Sequence, residues 1–109
     1  MTVQTLKDTL ELTVFHLAEP DRAVAGGYCG DLLSWVMSHV PANGAWMTIM
    51  SNVNVAAVAA LTDVSCVILT EGVRPDEPLL VKAEMQGINV LGTSLSTYEC
   101  AVKLADGLK

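Results

Sequence analysis

Apolar residues recur at two different spacings along this chain, and the alternation between those spacings divides it into helices and strands. Val3, Leu6 and Leu10 stand three and four apart, which predicts a short amphipathic helix over 3–10 with the Thr2 hydroxyl capping its free amides. Leu12, Val14 and Leu17 then alternate with polar or aromatic neighbours, as a first strand does, and AEPDR supplies turn chemistry before a short second strand over 23–28. Asp31 is placed to cap the clearest helix, whose Leu32, Leu33, Val36, Met37 and Val40 share one side until PANG ends it. A compact apolar run over 46–50 reads as a strand, followed by a helix capped by Asn52 or Asn54 with Val55, Val58, Ala59 and Leu61 on its buried side. Residues 64–69 form an unbroken apolar strand, and a helix over 79–86 follows with Gly87 as its stop and Asp76 and Glu77 at its positive end. A last strand over 88–91 leads to a final helix capped by Thr93, Ser94 or Ser96, carrying Tyr98, Ala101, Val102 and Leu104.

Strands that read as continuous apolar runs, separated by helices, are strands buried on both sides. That pattern predicts an α/β fold: a small three-layer sandwich with a mainly parallel sheet of about five strands, helices on both faces and right-handed crossovers. At 109 residues the chain is expected to be one domain over 1–109, with no repeats and no linker. A hydrophobic share of 51% against 17% charged leaves little polar material for the outside, so some apolar surface is expected to meet a partner.

Charge narrows the partners. The net charge is −6, and the cations Lys7, Arg22, Arg74, Lys82, Lys103 and Lys109 are scattered, whereas a nucleic-acid backbone or an anionic membrane needs several converging on one face. Neither partner is expected. The opening residues have no basic start or apolar signal core, and no run is long enough to span a membrane, so the cytoplasm is the expected compartment.

Catalytic chemistry finds little to work with. No G-x-x-x-x-G-K-S/T string exists to wrap and neutralise phosphates, and the glycines at 26, 27 and 30 precede Asp31, which repels an anion, so they read as a tight strand-to-helix turn. His39 sits in a last helical turn, where a partial positive charge suits the dipole, and His16 has no identifiable nucleophile beside it. Cys29, Cys66 and Cys100 are odd in number, with no C-x-x-C pair and no histidine at a ligand offset, so no metal, cofactor or disulfide is expected. Cys66 reads as a small core residue; Cys29, before an apparent helix start, is either packed or a thiol activated by the helix dipole. No catalytic residue is assigned.

What remains is geometric. Ligands of open parallel sheets collect outside the carboxyl ends of the strands, and here those ends carry Ser51, Asn52 and Asn54, then Thr70, Glu71 and Gly72, then Thr93 and Ser94. As cap and turn residues several of these explain themselves. Their placement at one sheet edge nevertheless makes Ser51, Asn52, Asn54, Thr70, Glu71, Gly72 and Thr93 the candidate ligand-binding set.

The stretches YCGDLLSWVM, NVNVAAVAAL, VILTEGVRPDEPLLVKAEMQGINVLGTSLSTYE and the terminal DGL resemble a DRTGG domain. The places that carry the likeness are Asp31 to Ser34, Asn54 to Ala59, Thr70 with Gly72, Gly87 to Thr93, and Tyr98 with Glu99. The resemblance implies an α/β fold that tends to dimerise and no settled catalytic role. Such domains are regulatory parts of pyrophosphatases with CBS domains and of phosphate acetyltransferases, are similar to the N-terminal part of HPr kinase, and also stand alone. The chain departs from the pattern where Ala23, Val24 and Ala25 separate Asp21-Arg22 from Gly26-Gly27, and where Ser51 and Asn52 replace glutamine and histidine. The expected function is a non-catalytic regulatory module acting as a homodimer on an enzyme or signalling protein. Trp35, Met37, Trp46 and Met47 are its candidate interface residues, since aromatic and methionine side chains dominate interface cores. The alternative is a sensor of a small ligand, a nucleotide or metabolite.

Overall fold

The computed structural model describes residues 1–109. Ten elements follow one another: α1 (Val3–Leu10), β1 (Thr13–His16), β2 (Gly26–Cys29), α2 (Leu33–His39), β3 (Gly44–Thr48), α3 (Asn54–Thr62), β4 (Cys66–Leu69), α4 (Glu77–Gln86), β5 (Val90–Gly92) and α5 (Thr97–Gly107). The five strands form one sheet in the order β1-β5-β4-β3-β2. Strands β2 to β5 run parallel, and β1 lies antiparallel on β5 with an irregularity between Val14 and His16. No helix is long and apolar enough to cross a membrane.

The period of two along each strand sorts side chains into two cores. Trp46, Val67, Leu69 and Val90 point to one face, where they meet Val36 of α2, Val55 and Val58 of α3 and Leu79 and Ala83 of α4. Ala45, Met47, Cys66, Ile68 and Leu91 point to the other, against Val3, Leu6 and Leu10 of α1 and Cys100 and Leu104 of α5. The layers are therefore α2, α3 and α4 over one face and α1 with α5 over the other. This is the expected three-layer α/β sandwich, with a single antiparallel pair at its edge.

Where local chemistry is strong, element ends match the pattern. Thr2 and Thr5 form a reciprocal capping box on α1, Ser96 and Glu99 form another on α5, and Gly87 ends α4 in the left-handed region at φ 68°. Elsewhere the fold corrects the reading. Strand β3 starts two residues before the apolar run and ends at Thr48, while β2 starts at Gly26 rather than Ala23, which instead forms an isolated bridge with Thr2. Asp31 caps no helix: Leu32 takes the cap position of α2, and the Asp31 carboxylate accepts from Thr48 Oγ1 at 2.8 Å and the Ile49 amide at 3.0 Å. At the start of α3 the cap position is Val53, and Asn52 Oδ1 accepts from the Asn54 amide at 2.9 Å in a turn. Leu61, expected on the buried side of α3, is 70% exposed, and on α5 Tyr98 is 79% exposed while Cys100 and Leu104 form the core side.

Candidate functional site

The connections after β4 and β5 part company. From β4 the chain passes to α4 on one face of the sheet, and from β5 it passes to α5 on the other. Such divergence opens a crevice at the carboxyl ends of two adjacent parallel strands, the place where ligands of open α/β sheets bind. The antiparallel β1 then adds its own start to this end, since Thr13 lies opposite Gly92. The result is a depression of about 190 Å³ lined by Thr13, Phe15, Gly72, Val73, Arg74, Gly92, Thr93 and Ser94.

Its walls are fixed by packing. The Phe15 ring lies so close over Gly92 that a side chain there would overlap it, and only glycine leaves the ring where it is. Arg74 places its guanidinium carbon 5.4 Å from the centre of the same ring, a cation–π arrangement. Glu71 and Gly72 both adopt left-handed backbone, at φ 60° and 74°, and their amides donate to the carbonyls of Leu95 and Thr93 at 2.8 and 2.9 Å. These bonds tie the two diverging loops together beneath the crevice.

The candidate ligand residues separate once placed. Gly72 and Thr93 line the depression. Thr70 is fully buried, its hydroxyl 2.6 Å from that of Thr97, so it faces the interior rather than a ligand. Glu71 turns its carboxylate back to the Thr97 amide at 3.4 Å. Ser51, Asn52 and Asn54 belong to the next loop along the same end, which Ser51 joins to Asp76 at 3.3 Å. Thr13, Phe15 and Arg74 were absent from the sequence-based set, because only the antiparallel β1–β5 pairing brings the first two here.

Among the candidate interface residues, Trp35 is 56% exposed and Met37 is also exposed. Trp46 and Met47 are corrected to core: both are buried, one in each hydrophobic layer, and Trp46 Nε1 donates to the Gly30 carbonyl at 2.9 Å. A wider hollow of about 320 Å³ lies between β2 and α5, but seven of its eight lining residues are hydrophobic and give little to orient a polar ligand.

Cys66 and Cys100 are buried in the core, whereas Cys29 is exposed on β2. Burial and, secondarily, the neighbouring Asp31 raise the pKa of Cys29, the reverse of the dipole-activated thiolate weighed from sequence. Burial pushes Cys66 up to about 12 and Cys100 up to about 11. His16 Nδ1 donates to the Ile88 carbonyl at 2.9 Å, and His39 stacks on Trp35 with ring centres 3.9 Å apart. No cluster of three or more His, Cys, Asp or Glu side chains is placed to hold a metal ion.

A family model described as the DRTGG domain matches residues 38–106. The chain belongs to the DRTGG domain family. Among solved structures it is similar to the CBS and DRTGG domains of the regulatory region of Clostridium perfringens pyrophosphatase, described as complexed with the activator diadenosine tetraphosphate. The superposition gives a TM-score of 0.74 at 15% identity and covers 94% of this chain, which spans 45% of that one. At such identity the likeness concerns the fold. No curated protein sequence matches the chain.

Proposed function

We propose that this DRTGG domain is a cytoplasmic, non-catalytic regulatory module that acts as a homodimer on a partner enzyme or signalling protein. The observation that carries the reading is α3, which has no charged residue on any side. A helix apolar all round belongs in an interior, yet Val53, Ala57, Ala60 and Leu61 are exposed. Val81 and Met85 of α4 and Trp35 of α2 add exposed apolar area on the same side of the sheet. Two copies each carrying a net charge of −6 approach most easily through uncharged surface, and α3 supplies it. Sedimentation at micromolar concentration is expected to give a dimer of about 23 kDa, twice the 11.5 kDa chain, and Leu61→Glu with Met85→Glu is expected to give the monomer. A wild-type chain that sediments only at 11.5 kDa overturns the proposal.

A second reading, a sensor of a nucleotide or metabolite, is favoured by the crevice between the β4 and β5 loops. The nucleotide-bound state of the pyrophosphatase regulatory region supports it as analogy. A ligand at a hundred times its Kd adds about 2.7 kcal/mol of stability, which a thermal-shift panel detects.

A further inference from the structure

Within a chain of net charge −6, the depression at the β4 and β5 loops is locally cationic. Its eight lining residues include Arg74 and no carboxylate. Arg74 enters neither an ion pair nor a hydrogen bond, although acidic residues outnumber basic ones twelve to six in the chain. We propose that this depression binds the anionic group of a small metabolite, a carboxylate or a phosphate. The proposal rests on the ligand-sensor reading and gives it a chemical class.

The remaining donors have the polarity such a group needs. Thr93 Oγ1 accepts from the Leu95 amide at 3.2 Å, which leaves its own proton free to donate outward. Ser94 and Thr13 carry hydroxyls with no partner inside the molecule, and both stand in the same lining. A guanidinium fork with adjacent hydroxyls suits two oxygens of one anion, and the Phe15 ring under the guanidinium keeps the fork in place without neutralising it. Gly72 leaves open space where a side chain would begin, so no side chain from this position fills the crevice. The volume, about 190 Å³, admits the charged end of a metabolite rather than a whole dinucleotide.

Amide-resolved NMR titrations of the full chain with sodium phosphate and with sodium acetate, at constant ionic strength, test this, with adenosine as a neutral probe. The expected result is saturable movement of the Gly72, Arg74, Thr93 and Ser94 amides with at least one anion, the tighter of the two naming the group. Arg74→Gln is expected to weaken that binding about tenfold or more, with Arg74→Lys between the two, because a lysine keeps charge but loses the fork. Equal binding by Arg74→Gln, or movement confined to other amides, overturns the proposal. Should adenosine move these amides while neither anion does, the sensor reading stands and the anionic class falls. If none of the three probes moves them, both fall.

Discussion

The two ends of the sheet use their polar groups in opposite ways. At the amino end nearly everything is consumed internally. Buried Asn89 accepts from the Ala18 and Glu19 amides, each at 2.8 Å, and donates to the Glu19 and Ser65 carbonyls at 2.9 and 3.0 Å. The Ser65 hydroxyl lies between the carbonyls of Ala23 and Asn43, and Arg22 reaches Asn43 Oδ1, the Asp63 carbonyl and the Asp63 carboxylate. Strand starts are thus locked to the turn that follows β1. At the carboxyl end, bonds such as Gly72 to Thr93 fasten the loops to one another, yet Arg74, Ser94 and Thr13 are left with unspent donors. Polar groups that a fold does not need for its own satisfaction, gathered in a crevice, are what a ligand can use.

On that contrast, the largest effects on stability come from the amino end. Asn89→Ala strands the buried Ser65 carbonyl and releases the Ala18 and Glu19 groups, though these last can reach water. The expected loss is about 2–4 kcal/mol, read from urea unfolding, because one buried group stays unsatisfied and a bonded turn comes loose. A loss under about 0.5 kcal/mol, the size of an ordinary surface change, would remove the lock from the account.

How much of this could be seen in the sequence depends on the range of the interactions. Helix α1 was legible to the residue because Thr2, Val3, Leu6 and Leu10 carry its cap and its face within one short window. Strand β3 was read two residues late since Gly44 and Ala45 are too small to give an apolar signal, while Ile49 and Met50 do give one beyond the strand end. Helix α5 has two candidate stripes at helical spacing, and only docking on Met47 and Ile68 chooses Cys100 and Leu104 over Tyr98 and Val102. Leu61 misled for a related reason: α3 is apolar on every side, so periodicity names no face. The site was half legible. Strand ends pointed to Gly72 and Thr93, but Asn89 bonds partners about seventy residues away, and Thr13 and Phe15 arrive through a strand pair no local pattern announces.

A smaller effect is expected where the two ends overlap in character, at the packed floor of the crevice. Gly92→Ala puts a methyl group into the Phe15 ring, which must swing out, and overpacking of this kind costs about 1–3 kcal/mol. The melting temperature should fall accordingly, and the Phe15 ring resonances should move with it. An unchanged melting temperature would mean that the ring is not held against the strand, and the crevice would lose its rigid wall.

The finest discrimination comes from the two arginines, one at each end. Arg22 has a side chain only 20% exposed and reaches Asp63 at 2.6 Å, so Arg22→Gln breaks charge-assisted bonds. The exposure of Asp63 reduces what the ion pair contributes, leaving an expected loss of about 1–2 kcal/mol. Arg74 is exposed, its guanidinium lies over the Phe15 ring and it makes no ion pair, so Arg74→Gln is expected to change stability by less than about 0.5 kcal/mol. Urea unfolding of both variants side by side checks the difference, which matters more than either value. Should Arg74→Gln cost as much as Arg22→Gln, the guanidinium at the carboxyl end is a structural strut that the fold already uses. Should it cost nothing, its charge is held in the crevice by packing alone, in a chain that has acidic partners to spare.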